Sequence, residues 1–202
     1  MSPIRVVKVL AFLVCLVLVM PLVAASWLEK RLSRSEAVFT LFAQLLAPLP
    51  GLPGALLRGA YYFGTLRSCS WETHVGFGSI FTHRDATLAR HASMGAYCVI
   101  GHAQIGEAAM IGSRVSIPSG KRQHLDADGR LSASEGRFER VAVGPGSWVG
   151  EGAIVLASIG ARCIVSAGAV VTREMLDDCL IAGNPAQVVR GPDAASGRAE
   201  EA

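Results

Sequence analysis

An aliphatic residue at every sixth position is the feature that most limits what this chain can fold into. Ile105, Ile111 and Ile117 stand six apart, as do Val143, Val149 and Val155, and then Ile159, Val165 and Val171. Several are followed by glycine, at Gly106, Gly112, Gly144, Gly150 and Gly160. An isolated helix repeats near 3.6 residues and a half-buried strand at two, so a period of six fits neither. It fits a solenoid in which each six-residue unit makes one short strand and one turn. The aliphatic side chain then points to the axis, and a small residue follows where the backbone bends. Stacked coils bury one continuous column, each coil touching only its neighbours. Two slips, five residues from Ile100 to Ile105 and four from Val155 to Ile159, mark corners that depart from the ideal unit.

The rhythm stops between Ile117 and Val143. Pro118 to Arg140 is polar and carries Lys121, Arg122, Gln123, His124, Asp126, Asp128 and Arg130. Long excursions from a compact domain are uncommon and are usually functional. This one must be solvated or must face a polar ligand.

Composition excludes other classes. Net charge is +3 with no dense Lys/Arg stripe, which argues against a nucleic-acid partner. The five cysteines are scattered, odd in number and without a C-x-x-C pair, so neither a disulfide framework nor a zinc site is expected. They read as reduced thiols in a cytosol-facing protein.

Hydrophobic residues make up 51% of the 202, and they are concentrated at the start. Val9 to Ala25 is seventeen residues without a charge, the low end for a spanning helix, which Lys8 would lengthen by snorkelling. Residues 1–27 read as a transmembrane or membrane-anchor helix. A cleaved signal peptide is the competing reading, with Arg5 and Lys8 as its basic region and Val-Ala-Ala before Ser26 as its cleavage site. Lys30, Arg31 and Arg34 outnumber Arg5 and Lys8, which favours a cytoplasmic carboxyl-terminal side. Residues 28–72 read as amphipathic helices on the membrane surface, with a helical lid on the following domain as the alternative. Ser33 and Glu36 form a capping-box pattern, Pro48, Pro50 and Pro53 end the first of these helices, and Tyr61 and Tyr62 are candidate interface residues. Residues 73–190 make the repeat domain with its loop at 118–140, and the small polar stretch 191–202 reads as a disordered tail.

With the repeat in place, two segments carry a resemblance. "VAVGPGSWVGEGAIVLASIGARCIVSAGAVVTREM" (141–175) and "LIAGNPAQVVRG" (180–191) resemble the hexapeptide-repeat acyltransferases, and in particular their sugar and xenobiotic O-acetyltransferase branch. The likeness covers about Ile80 to Arg190. It implies a mainly β fold, a left-handed parallel β-helix, and an enzyme that transfers acetyl from acetyl-CoA to a hydroxyl. A glycan or lipid-linked sugar of exopolysaccharide or lipopolysaccharide biosynthesis is the expected acceptor. Since CoA is cytosolic, the repeat domain is expected on the cytoplasmic face of a bacterial inner membrane.

The resemblance also assigns residues. A histidine in a loop at this place is the family's base, and His124 matches it. Trp148 matches a tryptophan beside the substrate and pantetheine. The family's acceptor-holding asparagine has no counterpart here; its place falls around Tyr97. Ser116 and Ser119 are candidates for binding acceptor or oxyanion, or are turn residues. Small residues Ala157, Ser158, Ala167 and Gly168 match the groove where CoA lies between two subunits of a homotrimer, and Arg173 and Arg190 are candidates for its phosphates. His74, His83, His91 and His102 read as structural or solvated, and no metal site is expected. A serine-acetyltransferase-like activity and a non-catalytic, membrane-tethered scaffold are the alternatives.

Overall fold

The computed structural model describes residues 3–33, 35–121, 123–124, 130–131 and 138–191. Arg122, Asp126 and Asp128 of the loop, and the tail from 192 on, lie outside them.

The hexads fold into a parallel β-solenoid of three sheets. The first coil is β1 (Ser68–Cys69), β2 (His74–Val75) and β3 (Ile80–Phe81); the second is β4 (Thr87–Leu88), β5 (Ser93–Met94) and β6 (Val99–Ile100). The third is β7 (Ala103–Ile105), β8 (Met110–Ile111) and β9 (Ser116–Ile117), and the fourth β10 (Val141–Val143), β11 (Trp148–Val149) and β12 (Ile154–Val155). In the fifth, β13 (Ile164–Val165) and β14 (Val170–Val171) follow a bridge at Ile159; in the sixth, β15 (Leu180–Gly183) follows a bridge at Met175. β16 (Ala186–Arg190) turns back antiparallel to β15 and closes that end. Sheet A holds β1, β4, β7 and β10; sheet B holds β2, β5, β8, β11, β13, β15 and β16; sheet C holds β3, β6, β9, β12 and β14.

In each two-residue strand one side chain points in. Val75, Phe81, Leu88, Met94, Ile100, Ile105, Ile117, Val149, Val155 and Val171 are at most 1% exposed. Full burial of such a side chain contributes about 1.5–3 kcal/mol, and the column repeats it coil after coil. Successive coils come very close at Gly144, where an added Cβ would lie 2.3 Å from the Gly160 carbonyl. A larger residue there would push two coils apart.

Three helices cover the first coil: α1 (Pro3–Leu32), α2 (Ala37–Leu46) and α3 (Gly51–Thr65). The solenoid therefore begins at Ser68, a few residues before the expected boundary, and α1 runs past residue 27 to Leu32. Buried positions of α1 are Phe12, Val19, Val23, Ser26 and Glu29, one face of a helix. That face packs along α3: the Trp27 indole N–H donates to the Gly64 carbonyl at 2.8 Å, and the Ser26 and Tyr61 hydroxyls share a hydrogen bond of 2.9 Å. Both ends of α1 reach the solenoid, through Arg5 with Glu72 at 3.6 Å and Glu29 with Arg84. These anchor points are separated by about 36 Å of helix, so α1 lies across the base instead of projecting from it.

The lid saturates the open edge of the first coil. Arg58 is buried and donates from Nε to the Val75 carbonyl at 3.1 Å. Its Nη1 donates to the carbonyls of Leu46, Ala47 and Leu49, so one guanidinium caps the α2 carboxyl end and the solenoid edge together. The Phe81 N–H donates to the Tyr62 hydroxyl, and the Gly78 N–H to the Ala47 carbonyl. An uncovered edge would template pairing with other chains. Tyr61 and Tyr62 are thus fully buried between lid and solenoid.

The start of α2 differs from the expected capping box. Glu36 is its N-cap residue and makes no side-chain cap. The Val38 and Phe39 N–H groups donate instead to the Glu29 carboxylate, reached from α1, at 2.8 and 3.1 Å. Burial opposes this charge, but those two N–H groups and Arg84 outweigh it and hold Glu29 below the ordinary carboxylate value.

Candidate active site

Every departure from the six-residue spacing falls at one corner, where sheet C passes to sheet A. Phe81 to Leu88 is seven, Ile100 to Ile105 five, and Val155 to Ile159 and Val171 to Met175 four each, while Ile117 to Val143 holds the loop. The other two corners are kept in step by repeated turns, with a left-handed residue at positions such as His91, Ala108 and Arg162 on one and Tyr97, Arg114 and Gly168 on the other.

Two residues beyond the inward aliphatic of each coil, this free corner displays His83, His102, Ser119, Ala157 and Arg173. Each has a local partner or position. His83 Nδ1 lies 2.8 Å from Glu36 Oε2, and its ring meets Phe138 edge-on at 5.0 Å. Burial would raise Glu36, but the hydrogen bonds from His83 and the Arg84 N–H hold it below the ordinary value. His102 Nε2 accepts from Nε and Nη2 of Arg140, both at 3.2 Å, which places the ring proton on Nδ1. Partial burial first, and the Arg140 cation second, lower its pKa, so it is a neutral imidazole near pH 7.

The loop leaves this corner through a tight neck. The Glu139 N–H donates to the Ser119 carbonyl at 2.9 Å, and the Ser119 hydroxyl accepts from the His102 N–H at 2.9 Å. Gly120 has φ of 85°, and a Cβ on it would lie 2.7 Å from the Glu139 Cβ. His124 sits in a turn just beyond the neck with its side chain exposed.

The expected residues separate into groups. Ser119, His124, Ala157, Ser158 and Arg173 share the corner between sheets C and A. Ser119 is 1% exposed, and its hydroxyl and that of Ser158, which accepts from the Ala142 N–H, are both committed to the backbone. Arg173 donates to the Gln187 side chain beside the final hairpin, which also holds Arg190. Ser116 faces outward, half-buried, on sheet C. Tyr97, Ala167 and Gly168 lie on the corner between sheets B and C, where the Tyr97 ring stacks edge-on against Phe77 at 5.4 Å. Trp148 is half exposed on sheet B, in register between Met110 and Ile164. Sheet B is the face opposite the corner that carries His124, so one chain does not bring the two together.

His83, His102 and Arg140 lie at the corner from which the loop leaves; the sequence reading gave the two histidines structural or solvated roles. Their common offset from Phe81 and Ile100 is the signal that would have placed them there. No group of three or more His, Cys, Asp or Glu side chains suited to a metal ion occurs among the described residues.

No protein-family model matches the chain. Among solved structures, a hexapeptide-repeat acetyltransferase from Vibrio cholerae O1 biovar eltor, complexed with acetyl coenzyme A, matches with a TM-score of 0.53 at 18% identity, covering 85% of each chain. A galactoside acetyltransferase in complex with coenzyme A matches with a TM-score of 0.56 at 14% identity, over 79% of this chain and 83% of the other. A maltose O-acetyltransferase from Clostridium difficile 630 matches with a TM-score of 0.51 at 20% identity, over 75% and 83%. The chain thus has the β-solenoid fold of the hexapeptide-repeat acetyltransferases.

Proposed function

We propose that the protein is an acetyl-CoA-dependent O-acetyltransferase acting on a hydroxyl of a glycan or lipid-linked sugar. The observation that carries this reading is the polar loop: it leaves the one corner free of the hexad constraint and presents His124 just past its neck. A thioester is already activated, whereas a sugar hydroxyl is a poor nucleophile near neutral pH. The His124 imidazole takes the hydroxyl proton as that oxygen attacks the acetyl carbonyl. The C–S bond breaks, and the imidazolium returns its proton to the departing thiolate, giving the acetyl ester and CoA thiol. Such proton transfer contributes about 10²–10⁴-fold.

In this reading the chain works as a homotrimer. CoA runs along the solenoid between two copies, past the small residues Ala157 and Ser158 of one and Ala167 and Gly168 of another, with Arg173 and Arg190 near its phosphates. Trp148 of a neighbouring copy completes the site of His124.

The helical base lies in the plane of a membrane surface. Leu10, Val14, Val17, Leu18, Leu41 and Leu45 are more than half exposed on its outer side. Since both ends of α1 are fixed to the first two coils, a spanning orientation would carry the Arg84 and Glu72 region into the hydrocarbon. An in-plane orientation leaves Arg5, Lys8, Lys30 and Arg31 at headgroup level. CoA being cytosolic, the face is the cytoplasmic one, here of a bacterial inner membrane, where lipid-linked sugars of exopolysaccharide or lipopolysaccharide biosynthesis are within reach.

The test is acetyl-CoA binding and turnover by the purified full-length protein beside His124→Ala. Slow thioester cleavage in the wild type, at least about 10²-fold slower in the variant with CoA binding intact, supports the assignment. An intact oligomer that binds no acetyl-CoA sinks the transferase reading and leaves a membrane-tethered scaffold.

A further inference from the structure

A cavity of about 710 Å³ opens where the first turns of α1 and α3 meet the first two coils. It lies toward the corner between sheets A and B, away from the corner that carries His124, and forms no part of the site described above. One wall is apolar, with Val7 and Phe12 from α1 and Leu52 and Leu56 from α3. Trp71 closes it, its ring 6.2 Å from that of Phe12. The other wall carries Arg5, Lys8 and Arg90, together with His74 and His91.

The charges in this wall do not balance. Glu72 is the one carboxylate in the lining; it accepts from Arg90 Nε at 2.6 Å, and Arg5 lies 3.6 Å from its second oxygen. Three fixed cations against one carboxylate leave two positive charges for an anion. Partial burial and the nearby Arg58 lower the His74 pKa, so this imidazole adds no charge near neutral pH. The apolar wall has its own direction. Ile4, Val7 and Leu52 line the cavity and are also 70%, 65% and 69% exposed, so the wall continues without a break onto the outer face of the helical base. A ligand that satisfies both walls is anionic at one end and apolar along the rest.

We propose that this cavity binds a phosphate-bearing lipid, its phosphate held by Arg5, Lys8 and Arg90 and one hydrocarbon chain lying along Val7, Leu52 and Leu56. Guanidinium groups match phosphate oxygens in pairs, and the chain buries apolar wall that otherwise faces solvent. The proposal rests on the membrane-surface reading of the base and adds to it a defined lipid site. Its role is to hold the enzyme on the membrane, since the cavity and His124 occupy different corners.

Trp27, Trp71 and Trp148 are the only tryptophans, so the full-length protein carrying Trp27→Phe and Trp148→Phe reports from Trp71 alone. The experiment reads quenching of Trp71 in vesicles of phosphatidylglycerol or phosphatidylcholine brominated on the acyl chain. Strong quenching by the anionic lipid is expected, and Arg90→Glu or Arg5→Glu should weaken its apparent affinity at least about fivefold, the factor for one lost charge at a membrane surface. These arginines are half exposed but both face Glu72, so each variant is compared with wild type by circular dichroism and melting temperature before its quenching is read. Equal quenching by both lipids, unaffected by either variant in protein that still sediments with vesicles, overturns the lipid site and leaves the membrane reading standing. Protein that sediments with neither vesicle removes the membrane reading. Dihexanoyl phosphatidic acid in solution then decides the cavity, with loss of its Trp71 signal in Arg90→Glu supporting the site and no signal overturning it. Millimolar inorganic phosphate that displaces the lipid completely overturns the lipid part, because the site would then be one for free phosphate.

Discussion

Glu29 shows how much one side chain can hold. Its carboxylate caps α2, pairs with Arg84 at the first turn from sheet C to sheet A, and leaves α1 to do so. Its pKa is lowered in the folded protein, so its contribution is fully present above the unfolded carboxylate value and is lost as pH falls through the lower folded value. Glu36, lowered in the same way by its contacts with His83 and Arg84 once burial is outweighed, adds to the loss over the same acid range. Thermal unfolding of the full-length protein in mild detergent should therefore hold level down to the ordinary carboxylate value, about pH 4–4.5, and fall markedly below it. Glu29→Gln should cost about 3 kcal/mol at pH 7, since it leaves Arg84 buried without its partner, and should flatten the acid limb. A variant as stable as wild type at pH 7, with an unchanged acid limb, removes this role. Nothing local foretold it: Ser33 and Glu36 have capping-box spacing, but the residue that caps α2 comes from another helix.

At the scale of elements, the solenoid was legible and its corner partly so. Six-residue spacing fixes which residues point inward, and the slips at Ile100–Ile105 and Val155–Ile159 marked departing corners, which the sheet order shows to be the one that holds the loop. His83 and His102 could have been placed beside the loop from their offset to Phe81 and Ile100. Which face Trp148 occupies follows from counting strands, but that sheet B stands opposite His124 needs the closed prism. The lid was half legible, because the polarity of its helices suits a membrane surface as well as a cover. Only tertiary contacts at Arg58, Tyr61 and Tyr62 show that one side of it covers the solenoid. The neck leads to a further expectation. Ser119 and Glu139 are joined by a hydrogen bond, so residues 120–138 can be replaced by a four-residue glycine-serine linker without opening the coils. Loop-closure entropy makes this neutral or stabilising by about 1 kcal/mol. Circular dichroism and melting temperature should hold while acetyl transfer disappears. A shortened protein that still transfers acetyl at the wild-type rate takes the base out of the loop and turns attention to His102 and His83.

For the whole molecule, the distribution of apolar surface asks for company. Outward positions on sheet B include Met110, Trp148 and Ile164, and those on sheet C include Val99 and Ile154, all more than a third exposed. Sheet A shows Ser68, Thr87, Gln104 and Ala142 instead. Exposed apolar surface of this kind is what the proposed homotrimer would cover, since a face used by every copy leads to closed symmetry. His124 and Trp148 give that assembly a functional test, since in one chain they stand on a corner and on the face opposite it. If a site takes His124 from one copy and Trp148 from the next, His124→Ala and Trp148→Ala are each nearly inactive alone but complement when unfolded and refolded together. With random mixing in a trimer, each site has an even chance of an intact His124 and an even chance of an intact Trp148. Turnover should recover to about a quarter of wild type. Mixing the two proteins without refolding should restore nothing until subunits exchange. A refolded mixture that forms mixed trimers, shown by differential tagging, and stays as inactive as its parents would place the whole reaction within one chain and remove Trp148 from it.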